Sequence, residues 1–483
     1  MKSKLLISAL SLLCLNGNTQ TIATHYVHNI VICGDTAKGN KSISANSYSV
    51  KSWGSNRYGA LGNGTSGGAS CTCGGPNCCE NAFVTVLNSV NFIAASTGSD
   101  HSLLLKNDNT VWAFGYNYYN QLGDGTFTNK SVPTQIPNLS NVKATSCGAA
   151  FSLFLKNDGT VWACGYNYDG ELGDGTNVDK HVPTQIPSLS NIIAIAGGEK
   201  HSLFLKSDGT VWACGWNLYG QLGNGTTVNK NIPTQITGLS NIVAIGAGIY
   251  HSLFVKNDGT TWSCGRNDKG QLGDGTSANI KLLPSQITTL SNIKDVKGGA
   301  SHSLFLDNNG SVWACGWNVV GQLGDATVID KTTPIQLNTI SNVAEISCGT
   351  YHSLFLKNNG KLYSTGANTY GQLGLGDYAE RDNPVILETL CSIYIPLAVN
   401  EYIKNENEFK IYPTISEGIF KIEGNNKVNL ISVYTLQGQK AFEIDNNIVL
   451  PHSLNISNLI DGIYFVQIKS GNYITNKKII IAK

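Results

Sequence analysis

The sequence predicts an all-β protein: a seven-bladed β-propeller followed by a small C-terminal β-sandwich. Three observations carry the prediction. A run close to HSLFLKNDGTVWACG recurs at fifty- or fifty-one-residue spacing through the middle of the chain. No part of that repeat holds a helical period. After about Cys391 the pattern stops, and short apolar strands alternate with turns. Composition agrees, with 53 Gly, 12 Pro and only 13% charged residues in 483, a balance that favours tight turns between short strands. The length suggests about three domains. A net charge of +1 supplies no long-range field for nucleic acid or an anionic membrane. Beyond the N-terminus no apolar run reaches the roughly 18 residues of a membrane span.

The first element is an address. Lys2 and Lys4 precede the apolar run Leu5 to Leu15, and polar Asn16 to Thr19 follow. This order of charged, apolar and polar regions reads as a secretory signal peptide over residues 1–19, cleaved near Thr19–Gln20. Cys14 would allow lipidation, but Leu13 before it is too large for the usual small residue there.

The second element is the repeat. Its first residue falls at His101, Phe151, His201, His251, His302 and His352, and its closing Gly at Gly115, Gly165, Gly215, Gly265, Gly316 and Gly366. A further copy of the closing segment stands at Gly54, so seven units cover about residues 29–390. Within one unit, Asn191 to Ala196, His201 to Lys206, Thr210 to Cys214 and Ile232 to Ile236 read as four strands. Asp208-Gly209 is expected to form a two-residue type I′ hairpin turn, and Pro233 puts the fourth strand at an edge. Four-stranded sheets bury their faces only against one another, so radial stacking is the expected solution. An open solenoid would want distinct capping repeats, which the sequence lacks.

Gly-x-Asn-x-x-Gly-Gln-Leu-Gly, as in Gly215 to Gly223, together with His-Ser-Leu-Phe-Leu, resembles the repeat of the regulator of chromosome condensation family. The resemblance implies a seven-bladed propeller. Departures are Phe151 for His, Lys51 and Tyr363 in the slot of Trp212, and Ala326 in the slot of Gly225.

Most repeated residues read as architecture. The repeated His lie on different blades, too far apart to share one metal ion, and are expected to be buried and hydrogen-bonded. Gln221 and Asn217 are expected to tie loops to backbone groups. Asp124, Asp174 and Asp274 lack the further acidic residues of a calcium loop. Cys164, Cys214, Cys264 and Cys315 fill one slot and are expected to be buried thiols. Function is expected in residues that do not repeat. Lys200, Tyr250 and Tyr351 precede the repeated His; Tyr116, Tyr166, Trp216, Arg266 and Trp317 follow the repeated Gly. Both sets should share one propeller end, and aromatic and Arg side chains are common binding anchors. These eight residues form the expected ligand-binding face. The first unit also carries an insertion with Cys71, Cys73, Cys78 and Cys79. In an exported chain these favour disulfides over a metal site, and a Cys33–Cys391 bridge would close the ring. No cofactor is expected.

The third element follows a polar linker at 391–409. Residues 410–483 alternate in short strands at Gly418 to Ile422, Leu430 to Tyr434, Lys440 to Ile444, Gly462 to Ile468 and Lys478 to Ile481. Ile411-Tyr412-Pro413, Val433 to Gly438, Leu459 to Val466 and Lys477 to Ile481 resemble the C-terminal sorting domain of the type IX secretion system. That resemblance implies delivery to the cell surface or medium of a Bacteroidetes-like bacterium, and the type IX machinery as a partner.

The expected function is therefore non-enzymatic binding of an extracellular protein or glycan through one loop face. Inhibition of an extracellular enzyme is an alternative. Guanine-nucleotide exchange is a second, implied by the family resemblance. No His-Glu-x-x-His or phosphate-cradling Gly loop is present.

Overall fold

The computed structural model describes residues 22–24, 26–34, 48–68, 77–87, 91–277, 280–387, 409–413, 415–424, 428–435, 440–470 and 473–482. The signal-peptide segment 1–19, Cys71, Cys73, Cys391 and the linker up to residue 408 lie outside these. The chain divides into two units, 1–394 and 395–483.

Among the described residues, the first unit holds seven four-stranded sheets, each a simple antiparallel meander. In blade 4 the strands are Ile192–Gly197, His201–Lys206, Val211–Gly215 and Lys230–Gln235, within two residues of the sequence expectation. His201 pairs with Gly215 and Phe204 with Trp212. The innermost strand of each blade lies beside those of its two neighbours. Ile22–Thr24, the innermost strand of blade 1, lies beside the corresponding strands of blades 2 and 7, so the ring closes.

The hairpin turn differs from the expected type I′. That type needs positive φ at both central residues, and here only Gly209 has it, at +80°. Gly209 N donates to Lys206 O at 3.0 Å, and Lys206 N to Thr210 O at 2.9 Å. This is a three-residue loop closed by a left-handed glycine. Asp208 stays in the ordinary region because its Oδ1 accepts from Thr210 N at 2.9 Å and from Thr210 Oγ1 at 2.7 Å.

The repeated polar residues join the blades. Ser252 Oγ donates to Gln221 O of the preceding blade at 2.8 Å. Its oxygen is then free to accept from His201 Nε2, 3.0 Å away. Equivalent pairs join His101 to Ser152 at 3.1 Å, His251 to Ser303 at 2.9 Å and His302 to Ser353 at 3.1 Å. Burial holds His201 down to about 3 and His251 to about 4, so these rings are neutral donors. Apolar layers fill the space between blades; Leu203, Leu205 and Val211 of blade 4 pack on Phe254 and Cys264 of blade 5. Burying a ring such as Phe254 stabilises by about 2 kcal/mol.

The array begins earlier than residue 29. His28 fills the repeated His slot of blade 1, with Nε2 2.9 Å from Ser102 Oγ. At the closing seam the slots change. Asn29 replaces Ser and Trp53 replaces Cys, and both donate to Gln372 O of blade 7, at 2.8 and 2.9 Å. Ile22 N also donates to Glu345 Oε1 at 3.3 Å, and Thr24 Oγ1 lies 2.9 Å from His352 Nε2.

Among the described residues, the second unit has a three-stranded and a five-stranded sheet over one core that includes Phe420, Ile422, Val433, Val466 and Ile479. Strands Phe409–Tyr412, Ile415–Ser416 and His452–Asn455 join the five expected ones. They are short, which is why alternation alone did not mark them.

Candidate binding face

The two variable slots of each blade meet at the end opposite the Asp-Gly turns. One backbone bond per blade fixes this: Tyr116 N donates to Asp100 O at 2.8 Å, Trp216 N to Lys200 O at 2.8 Å, Arg266 N to Tyr250 O at 2.9 Å and Trp317 N to Ser301 O at 2.7 Å. Each closing Gly has φ near +100°, and a Cβ on Gly215 would sit 2.4 Å from Lys200 O. Only glycine lets the two loops approach this closely.

Six of the eight expected residues join one continuous arc across blades 1 to 5. Tyr58 and Tyr116 have ring centroids 4.3 Å apart, Tyr116 and Tyr119 are 6.3 Å apart, and Tyr119 and Tyr166 are 5.0 Å apart. The Lys200 ammonium lies 5.5 Å from the Tyr166 ring and 6.0 Å from Trp216. Trp216, Tyr219 and Tyr250 form a mutual cluster at 5.2 to 5.5 Å. The Arg266 guanidinium stands 5.2 Å from both tyrosines. Trp317 and Tyr351 form a separate edge-on pair at 5.0 Å. Cation–aromatic and edge-on ring contacts are each worth about 1 kcal/mol, so the arc is a braced surface and not a set of loose side chains.

Carboxyl groups punctuate the arc. Burial raises the Asp100 carboxyl, opposed by Arg57. Burial also raises Glu199, which accepts a hydrogen bond from Tyr250. Tyr26 is pushed up to about 12 by burial and by the charges of Glu199 and Asp100, with Tyr250 and Tyr351 also acting on it. Groups from blades 1, 2, 4, 5 and 7 thus influence one another at this end. Glu171 is fully buried; Oε2 accepts from Asp169 N at 3.0 Å, and Oε1 has no partner. Burial, reinforced by Asp169, pushes its carboxyl up to about 8 against the pull of backbone N–H groups and Lys200.

Tyr26, Tyr58, Asp100, Tyr119, Glu171, Glu199 and Tyr219 belong to this end and escaped sequence reasoning. Tyr58, Tyr119 and Tyr219 occupy the fourth position after the closing Gly, a slot as variable as those already chosen. Glu171 was visible as the one acidic residue where Gln121, Gln221, Gln271, Gln322 and Gln372 stand. The outer rim carries Tyr118 and Tyr168, 62% and 72% exposed.

The other motifs have structural explanations. Asn217 Oδ1 accepts from Leu222 N at 2.9 Å, and Gln221 Oε1 from Tyr219 N at 3.1 Å. Asp124, Asp174 and Asp274 pair with Lys130, Lys180 and Lys281 at 3.3, 2.8 and 3.2 Å. Cys164, Cys214, Cys264 and Cys315 are free and buried. Cys33, Cys78 and Cys79 are disulfide-bonded; Cys71, Cys73 and Cys391 lie outside the described residues. Among the described residues no His, Cys, Asp and Glu group could hold a metal, and no helix is long and apolar enough to cross a membrane.

Comparison with known proteins adds identity to this geometry. A family described as the RCC1-like domain matches residues 49–400. A secretion system C-terminal sorting domain matches residues 410–482. Among solved structures, human WBSCR16 is 24% identical with a TM-score of 0.61, covering 69% of this chain and 92% of its own. Yeast RCC1 (Prp20), solved with Kap60, is 22% identical with a TM-score of 0.63, covering 74% and 90%. Prp20p from Saccharomyces cerevisiae in a second structure is 24% identical with a TM-score of 0.62, covering 70% and 85%. These likenesses establish the propeller fold.

Proposed function

The chain belongs to the RCC1-like domain family and ends in a sorting domain that directs export through the type IX route to the cell surface or medium; from that premise we propose that it is a non-enzymatic propeller that binds an extracellular protein or glycan. The supporting observation is the arc, in which Tyr116, Tyr166, Lys200, Trp216, Tyr250 and Arg266 stand within ring or cation distance of one another or of Tyr119 and Tyr219. None of these residues is required by the repeat, and rigid rings with Arg are suited to anchoring a partner. Trp317 and Tyr351 extend the same face as a second patch. Inhibition of an extracellular enzyme would use the same surface. The yeast Prp20p structure is described together with binding to Gsp1p and histones; export separates this chain from such partners.

Two tests address the proposal. The triple variant Tyr166→Ala, Trp216→Ala, Trp317→Ala should lose binding to extracellular material from the bacterium's surroundings; undiminished binding would refute the face. Deleting residues 410–483 should retain the chain in the periplasm, with the segment 1–19 removed on inner-membrane passage. We further propose that Cys71 and Cys73 pair with Cys78 and Cys79 and that Cys33 pairs with Cys391, which peptide mapping without reduction reads directly.

A further inference from the structure

We infer that the ligand of this face is an extended, uncharged carbohydrate chain laid along the arc, with one sugar over the seam between blades 3 and 4. This rests on the binding reading above and narrows it to one chemical class.

Charge balance is the first argument. Each cation of the arc has a local carboxylate: Arg266 Nη2 lies 2.7 Å from Asp268 Oδ2, Lys200 Nζ 3.5 Å from Asp169 Oδ2, and Arg57 acts on Asp100. A surface so neutralised exerts little pull on an acidic polymer or a basic peptide. It nevertheless offers many hydrogen-bonding groups between rings. A pyranose has the complementary character, with apolar C–H faces to stack on rings and a rim of hydroxyls that both donate and accept.

The second argument is independent and lies at the seam. Glu171 packs beneath it, its Cα against Gly215, the residue before Trp216. Its carboxyl group and Tyr166 influence one another electrostatically, and Lys200 acts on the carboxyl in turn. Its Oε1 is buried and unpartnered, as are the side-chain nitrogens of Gln221 and Gln322 in the same slot of blades 4 and 6; what sets this seam apart is that the unpartnered atom belongs to a carboxyl. A buried orphan oxygen is costly unless something supplies a partner, and a sugar hydroxyl between Tyr166 and Trp216 would do so.

The test measures binding of the full chain to linear neutral hexasaccharides (β-1,4-glucan, β-1,4-xylan, β-1,4-mannan and α-1,4-glucan), beside uronate hexasaccharides. The expected result is binding of at least one neutral chain, altered less than about twofold between about 50 and 500 mM NaCl. Tyr166→Ala with Trp216→Ala should weaken it about tenfold or more. Glu171→Gln should weaken it about threefold without lowering the melting temperature, because Gln fills this slot in five other blades. That variant keeps the test valid if the double variant folds poorly. No neutral chain bound, or only uronates bound with steep salt dependence, overturns the inference. If a protein partner is bound instead and is lost in the double variant, the carbohydrate inference fails while the binding face survives. A ligand held equally by the double variant removes both.

Discussion

The two ends of the propeller are built on the same strands and treat them differently. At the turn end, Asp108, Asp158, Asp208 and Asp258 each accept from the backbone N–H of the Thr two residues on, at 2.9 to 3.0 Å. One solution closes every one of these hairpins, and it repeats almost unchanged. At the other end the slot after the closing Gly holds Tyr116, Tyr166, Trp216, Arg266, Trp317 and Ala367 in turn. Ala367 shows that the scaffold is content with a methyl group there. The rings of the other blades therefore exceed what folding demands. Repetition marks what the ring needs to close; in our proposal its failure marks where the molecule meets a ligand.

Several changes would break or sharpen this contrast. The largest effect should come from neither end but from the closing seam. Trp53 is fully buried and its Nε1 donates to Gln372 O, so Trp53→Ala should cost about 4 kcal/mol in urea unfolding; a loss below about 1 kcal/mol would mean the seam closes without it. Next is Glu171. Its folded pKa of about 8 lies above the ordinary carboxylate value, so the folded state keeps a proton that the unfolded chain has released. That contribution is fully present below about pH 4.5 and is lost as pH rises through 8. Glu171→Gln should accordingly be more stable than the natural chain by about 3 kcal/mol at pH 7 and nearly equal to it at pH 4.5. A pH-independent difference would show that Glu171 is already ionised in the fold. Tyr168→Ala, at the exposed rim, should leave stability within about 0.5 kcal/mol while weakening ligand binding. At the turn end, Asp208→Ala should cost about 1 kcal/mol by removing the acceptor for Thr210, with no effect on binding.

The sequence made the ring legible because its staples are themselves the repeat: a His, the Ser after it and a carbonyl one blade back recur together. Blade 1 was only half legible. Its inner strand, Ile22–Thr24, is three residues long, and Asn29 and Trp53 replace the usual Ser and Cys. They do so because that seam joins the two ends of the array, where one carbonyl, Gln372 O, takes both donors. The turn type was misread because Asp-Gly looks alike in both hairpin loops; the local Asp208–Thr210 bonds decided between them. At the proposed binding end the single-copy rings could be picked out by eye. Tyr26, Asp100 and Glu199 could not, since only the closed ring brings residues so distant in the chain under one another's influence.

The most direct test of the central claim compares the two ends in one assay. The full chain, the variant Tyr166→Ala with Trp216→Ala, and the variant Asp158→Ala with Asp208→Ala are passed over the same immobilised extracellular fraction. The account predicts that the natural chain and the turn-end variant are retained alike and that the arc variant, folded by its melting curve, washes through. Retention of the arc variant with loss of the turn-end variant would contradict it and place the binding surface at the other end of the propeller.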